Sequence, residues 1–196
     1  MKKIKINLSN ITKEKINIIA EYFRRGMVII HPTDTIYGIG CLANNKSAIN
    51  KIYKIKQRNK SHPLLILASS FTMIKKYCYI SKRQYKYLQK IWPGSVSVIL
   101  KKKEILPEAL TSGIKSVAVR LPKSDFLIKI IRRVGKPIVS TSANISEQKS
   151  LTDMDNIEKY FGANKPDLVV DAGELKRKQS RLIDIRDMDD IKILRN

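Results

Sequence analysis

Three stretches of this chain hold residues whose types and spacing could do chemistry. The apolar run Pro137-Ile138-Val139 leads into Ser140-Thr141-Ser142-Ala143-Asn144-Ile145-Ser146, and Met27-Val28-Ile29-Ile30 leads into His31-Pro32-Thr33-Asp34-Thr35-Ile36-Tyr37-Gly38-Ile39-Gly40. The third is the cation pair of Lys56-Gln57-Arg58. Hydroxyls and backbone N–H groups at strand ends, with Lys and Arg nearby, form a surround suited to a nucleotide phosphate chain.

Taken singly, each stretch has a plainer reading beside the chemical one. Lys56 and Arg58 could share one side of a loop and clamp adjacent phosphates, Arg as a fork and Lys as a point charge. Two solvated charges after a helix fit equally simple rules, and in so basic a chain they are the commoner outcome. The Ser140–Ser146 hydroxyls and Asn144 could donate to phosphate or carboxylate oxygens, or could form a polar turn or helix cap. In the His31–Gly40 stretch glycine permits a close approach of backbone to ligand, or a tight turn, and Asp34 suits a capping or orienting role. Arg120 ends the run Val117-Ala118-Val119, where partial burial would demand an anion, from a protein carboxylate or from a substrate. His31 and His62 have no Cys or His partner at metal-ligand spacing and read as structural or solvent-facing.

The elements that must position these residues follow from periodicity and punctuation. Alternation over 2–8 predicts an edge strand, and the Ile, Tyr and Phe spacing over 11–25 predicts a helix stopped at Gly26. Strands are expected over 27–30, 64–68, 95–100, 116–121, 137–141, 168–170, 181–185 and 191–194. Asn45 caps a helix ending near Lys56. Residues 71–92 form one or two helices broken near Ser81, and further helices are predicted over 124–134 and 153–161. Strands and helices intermix, so the class is α/β with a twisted, mixed β-sheet flanked by helices.

The 196 residues fit a single domain spanning 1–196, and 43% hydrophobic content is ample for its core. No apolar run approaches the ~18 residues of a membrane span, and no leader pattern follows the basic N-terminus, so a soluble cytoplasmic protein without membrane contact is expected. Cys41 and Cys78 are far apart and outside metal spacing, which predicts reduced thiols. The net charge of +22 reflects 39 Lys and Arg against 17 Asp and Glu. Lysines spread along the whole chain fit compositional drift as well as a selected polyanion surface, and weak salt-sensitive RNA binding is expected either way. A phosphate loop of the GxxxxGK type, a GxGxxG turn, HExxH and GxSxG are all absent, which disfavours a conventional P-loop NTPase or Rossmann dehydrogenase.

In order along the chain, HPTDTIYGIG, KIKQR followed by HPLLILA, IWPGSVSVIL, SVAVRLP and GKPIVSTSANIS resemble the YrdC-type family of L-threonylcarbamoyladenylate synthases, in its short bacterial form. The resemblance implies a YrdC-like fold with a basic concave cavity. It also implies a nucleotidyltransferase that makes threonylcarbamoyl-adenylate from L-threonine, bicarbonate and ATP, with release of pyrophosphate. Other tRNA-modification proteins would then transfer the threonylcarbamoyl group to adenosine 37 of tRNAs reading codons that start with A. Carried over by position, Lys56 and Arg58 would be catalytic and ATP-binding, with Ser116, Ser142 and Asn144 as further ATP contacts. Thr33, Arg120, Ser140 and Ser180 would bind threonine. Mg²⁺ would accompany ATP, held mostly by phosphates and water.

The chain departs from the family pattern at Asn59, Ser95, Glu147 and Ser180-Arg181, and Lys176-Arg177-Lys178 has no counterpart in it. The alternatives are a non-catalytic protein binding tRNA or double-stranded RNA, which charge favours and the absence of an RNA-module signature opposes, and a carbamoyl-adenylating relative of hydrogenase maturation. The latter would want cysteine pairs that this chain lacks.

Overall fold

The computed structural model describes residues 1–196. Along the chain run β1 (Lys2–Lys5), α1 (Lys13–Arg24), β2 (Ile29–His31), β3 (Gly38–Gly40), α2 (Lys46–Ile55), β4 (Leu65–Leu67), α3 (Phe71–Tyr77), α4 (Lys82–Ile91) and β5 (Val96–Lys101). There follow α5 (Glu108–Thr111), β6 (Ser116–Arg120), α6 (Asp125–Val134), β7 (Ile138–Val139), β8 (Thr141–Ser142), α7 (Ile157–Phe161), β9 (Leu168–Asp171), β10 (Arg181–Asp184) and β11 (Lys192–Arg195).

Helix starts follow from capping side chains. Asn45 accepts from the Ala48 N–H at 3.0 Å, and Ser81 forms a reciprocal capping box with Gln84, which separates α3 from α4. Ser124 caps α6, and Gly135 ends it at φ 77°, a left-handed position that glycine takes without a Cβ penalty.

The expectation of one mixed sheet is refined to two. A five-stranded sheet runs β1-β9-β2-β3-β8, and a six-stranded sheet runs β11-β10-β5-β6-β4-β7, both mixed. The strand expected over 137–141 is broken at Ser140. Its N–H reaches the Leu65 carbonyl at 3.1 Å, and the chain crosses there from β7 in one sheet to β8 in the other. The helix expected over 153–161 is only α7, and β3 was not expected at all.

Two apolar clusters hold the fold. The larger packs α2 and Leu88 of α4 against the sheets through Ile39, Ile49, Ile66, Val98 and Val119. The smaller packs α1 on α6 through Ile19, Phe23, Ile130 and Ile131. Each such fully buried side chain contributes about 1.5–3 kcal/mol of transfer free energy. Cys41 and Cys78 are both buried free thiols, and burial raises the pKa of each. No helix is long and apolar enough to cross a membrane.

Candidate functional site

Residues of both sheets line a cavity of about 340 Å³. Its apolar wall comes from Leu65 and Leu67 of β4, Ile99 of β5 and Ala118 of β6, and its polar wall from the loop before β3 and from Ser140–Ser142. Two glycines bring these polar segments together. A Cβ on Gly38 would lie 2.5 Å from the Ser140 hydroxyl, and one on Gly40 would collide with the Val139 carbonyl. Only a bare backbone lets β3 lie this closely against the 139–140 crossing. His31 sits beneath the same strand, wholly buried with Nε2 unpartnered, and burial pushes its pKa down to about 4, so its ring is neutral.

Arg120 is the most constrained cation of the wall. It ends β6 at 4% exposure, and Asp34 supplies the anion that such burial requires. Nη2 donates to Asp34 Oδ1 at 3.0 Å and Nη1 to Thr35 Oγ1 at 3.2 Å, while Nε is buried without a partner. Asp34 also accepts from the Lys123 N–H at 3.0 Å. Of the two anions the sequence left open for Arg120, the protein carboxylate is therefore present. Thr33 Oγ1 accepts from the Thr35 N–H at 2.9 Å and donates to the Ile36 carbonyl at 2.7 Å, which closes the loop that carries Asp34.

No Asp or Glu lines the cavity, but four arginines do: Arg58, Arg120, Arg186 and Arg195. Asp34 pairs with Arg120, and Asp184 pairs with Arg186 at 2.6 Å. The other two meet only neutral oxygens. Arg58 donates to the carbonyls of His62 and Pro63, both at 3.2 Å, and Arg195 to the Ser180 carbonyl at 2.8 Å. Burial lowers the pKa of both guanidiniums, and the charge of Arg58 lowers that of Arg195 further. Two cations at one cavity, without a carboxylate partner for either, favour a bound anion.

Of the two cations the sequence singled out together, only Arg58 lines the cavity, and Gln57 between them adopts φ 50°. Arg58 reaches the cavity, whereas Lys56 is 1% exposed and lies behind its wall. Its Nζ donates to the Ser142 carbonyl at 2.6 Å, the Asn144 carbonyl at 2.8 Å and Asn144 Oδ1 at 3.1 Å. Burial, with Arg58 adding to it, pushes the Lys56 pKa down to about 7. Asn144 is likewise set behind the wall, its Nδ2 donating to the Ile145 and Gln148 carbonyls. Both residues brace the segment that presents Ser142.

The remaining expected residues, Thr33, Ser116, Ser140, Ser142 and Ser180, line the cavity together with Arg58 and Arg120. Ser180 Oγ lies 3.0 Å from Ser97 Oγ. Sequence reasoning gave Thr35 and Gln179 no role of their own and did not single out Arg186 or Arg195. Arg195 belongs to no motif; strand alternation within 192–195 was the only available sign of its direction.

The comparisons with known proteins agree with this architecture. The threonylcarbamoyl-AMP synthase of Pyrococcus abyssi is 33% identical over 174 residues, 87% of this chain and 51% of that protein, so the chain spans about half that relative's length. The threonylcarbamoyl-AMP synthase of Buchnera aphidicola is 34% identical over 81% of this chain and 91% of its own length. Among solved structures, P. abyssi Sua5 complexed with L-threonine superposes with a TM-score of 0.89 at 30% identity, covering 99% of this chain and 56% of that one. The Sua5/YciO/YrdC family, described as "Telomere recombination", matches residues 21–196, and the chain belongs to it.

Proposed function

We propose that this protein is a nucleotidyltransferase that joins L-threonine, bicarbonate and ATP into threonylcarbamoyl-adenylate and releases pyrophosphate. The observation that carries the reading is a carboxylate-free wall in which Arg58 and Arg195 lack counter-ions beside the Arg120 and Thr33–Thr35 cluster. The threonine bound by the P. abyssi relative supports an amino-acid site in the same fold.

In this reading the threonine amine is first carboxylated, and a carbamate oxygen then attacks the α-phosphorus in line. Positioning and charge neutralisation carry most of the catalysis, as in other phosphoryl and nucleotidyl transfers. Arg58 and Arg195 face the phosphates, Ser116 and Ser142 donate to their oxygens, and Lys56 and Asn144 hold Ser142 in place. Arg120, with the Asp34 pair adjusting around it, takes the threonine carboxylate; Thr33, Ser140 and Ser180 complete that subsite. Mg²⁺ enters as part of the nucleotide substrate. The chain has no cluster of three His, Cys, Asp or Glu that could hold a metal, so phosphates and water would be its ligands. The product would supply threonylcarbamoylation of adenosine 37 in tRNA by partner proteins.

The test is incubation with labelled threonine, bicarbonate and ATP, followed by mass spectrometry. The adenylate is expected only when all three are present. Its absence from the complete mixture would refute the assignment.

A further inference from the structure

The segment from Ala172 to Ser180 leaves β9 in one sheet and enters β10 in the other without forming helix or strand. It is fixed firmly at its first residues, where the Tyr37 hydroxyl donates to the Gly173 carbonyl at 2.6 Å and accepts from the Ala172 N–H at 2.9 Å. At its far end Ser180 is buried and held by Ser97 and Arg195. Between these anchors three contacts hold it: the Leu175 N–H to the Thr152 carbonyl, Gln179 to the Ser150 hydroxyl, and Arg177 Nη1 to the Asp34 carbonyl at 3.2 Å. Gln179 lines the cavity, so this strap runs along its rim.

With Arg58 and Arg195 facing the phosphates, the charge on the amino-acid subsite sets a requirement that Arg120 alone does not meet. Arg120 and Asp34 form a buried pair at 3.0 Å and together are close to neutral. A threonine zwitterion brings no net charge to them. Carboxylation changes that: the ammonium and bicarbonate form the N–C bond, the bicarbonate C–O bond breaks to release water, and one proton leaves to solvent. The substrate then carries a carboxylate and a carbamate, about two negative charges where it had none net. Arg120 is already shared with Asp34.

The exposed Arg177 has its guanidinium on the Asp34 backbone, beside that pair, and its single polar contact is to a neutral carbonyl. Its neighbour Lys176 is instead committed to Glu174 at 3.1 Å. A guanidinium offers the planar two-point contact that a carbamate accepts. Resting on the reading above, we propose that Arg177 is the counter-ion of the carbamate: it leaves the Asp34 carbonyl for the new carbamate oxygens and draws the strap over the cavity.

The experiment compares wild type, Arg177→Gln and Arg177→Lys in adenylate formation at varied bicarbonate, with threonine and ATP affinities measured separately by calorimetry. Arg177→Gln is expected to raise the KM for bicarbonate about tenfold or lower the rate by that factor, equivalent to about 1.4 kcal/mol. Threonine and ATP Kd values stay within about twofold of wild type, and Arg177→Lys recovers part of the loss by restoring a point charge. An unchanged bicarbonate dependence in an active Arg177→Gln protein overturns the proposal and leaves the synthase reading intact. An equal loss of threonine affinity also overturns it, because the residue would then serve the carboxylate. A wild-type protein that makes no adenylate sinks the synthase reading, and this inference with it.

Discussion

Replacing Asp34 by Asn removes the charge that compensates Arg120 while keeping side-chain shape. Both members of this pair are almost fully buried, at 4% and 5% side-chain exposure, and their contact is 3.0 Å. Breaking one partner of such a pair costs about 3–5 kcal/mol, since the remaining charge stays buried without its anion. Arg120 keeps its bond to Thr35, and an amide oxygen can still accept from the Lys123 N–H, so the lower bound applies. A loss of about 3 kcal/mol corresponds to a urea midpoint lowered by about 1.5 M for an m-value near 2 kcal/mol/M. Saturating threonine should return part of that loss, because its carboxylate takes the vacated place and ligand binding stabilises the folded state by mass action. Chemical denaturation with and without threonine reads both effects. A midpoint within about 0.3 M of wild type, or a variant that threonine stabilises less than it does wild type, would refute the account of Arg120.

The neutral His31, with its pKa near 4 against an ordinary 6.5, makes the unfolded chain bind a proton first as pH falls. Stability should therefore drop between about pH 6.5 and 4 by about 3 kcal/mol, and acid titration of His31→Phe should show a flatter profile. Lys56 acts at the alkaline side. With its folded pKa near 7 against 10.5, the unfolded chain holds the extra proton, so stability rises with pH from about 7 to 10.5. Lys56→Met should flatten that rise in denaturation measurements at several pH values, and should lower adenylate formation at least about tenfold by releasing Ser142 and Asn144. Gly40→Ala should cost about 1–3 kcal/mol in a thermal melt, as its Cβ meets the Val139 carbonyl.

The helices were legible because their signals are local. Asn45 and Ser81 sit where a cap belongs, the apolar spacing of α1 and α2 matches one helical face, and glycines follow α1 and α6. Strand β3 was not, since Gly38-Ile39-Gly40 carries a turn's composition and becomes a strand only through contact with β2 and β8. The break at Ser140 is likewise tertiary: an unbroken apolar-to-hydroxyl run gives no hint that two sheets compete for its hydrogen bonds. For the site, hydroxyls at strand ends pointed to the segments around Thr33 and Ser140, whereas Ser116 and Ser180 entered only through the family resemblance. Spacing did not separate the roles of Lys56 and Arg58: Arg58 lines the cavity, while Lys56 is buried on the Ser142 and Asn144 carbonyls. The Arg120–Asp34 pair joins positions 86 residues apart, and Arg195 enters through a strand with no motif.

In the proposed reaction one cavity activates an amino acid through attack of its carbamate on the α-phosphate of ATP, and isotope exchange between pyrophosphate and ATP reads that step. The account predicts exchange that requires threonine and bicarbonate together and falls at least about tenfold in Arg58→Ala and in Arg195→Ala. Exchange that proceeds without threonine, or that is indifferent to both arginines, would contradict it.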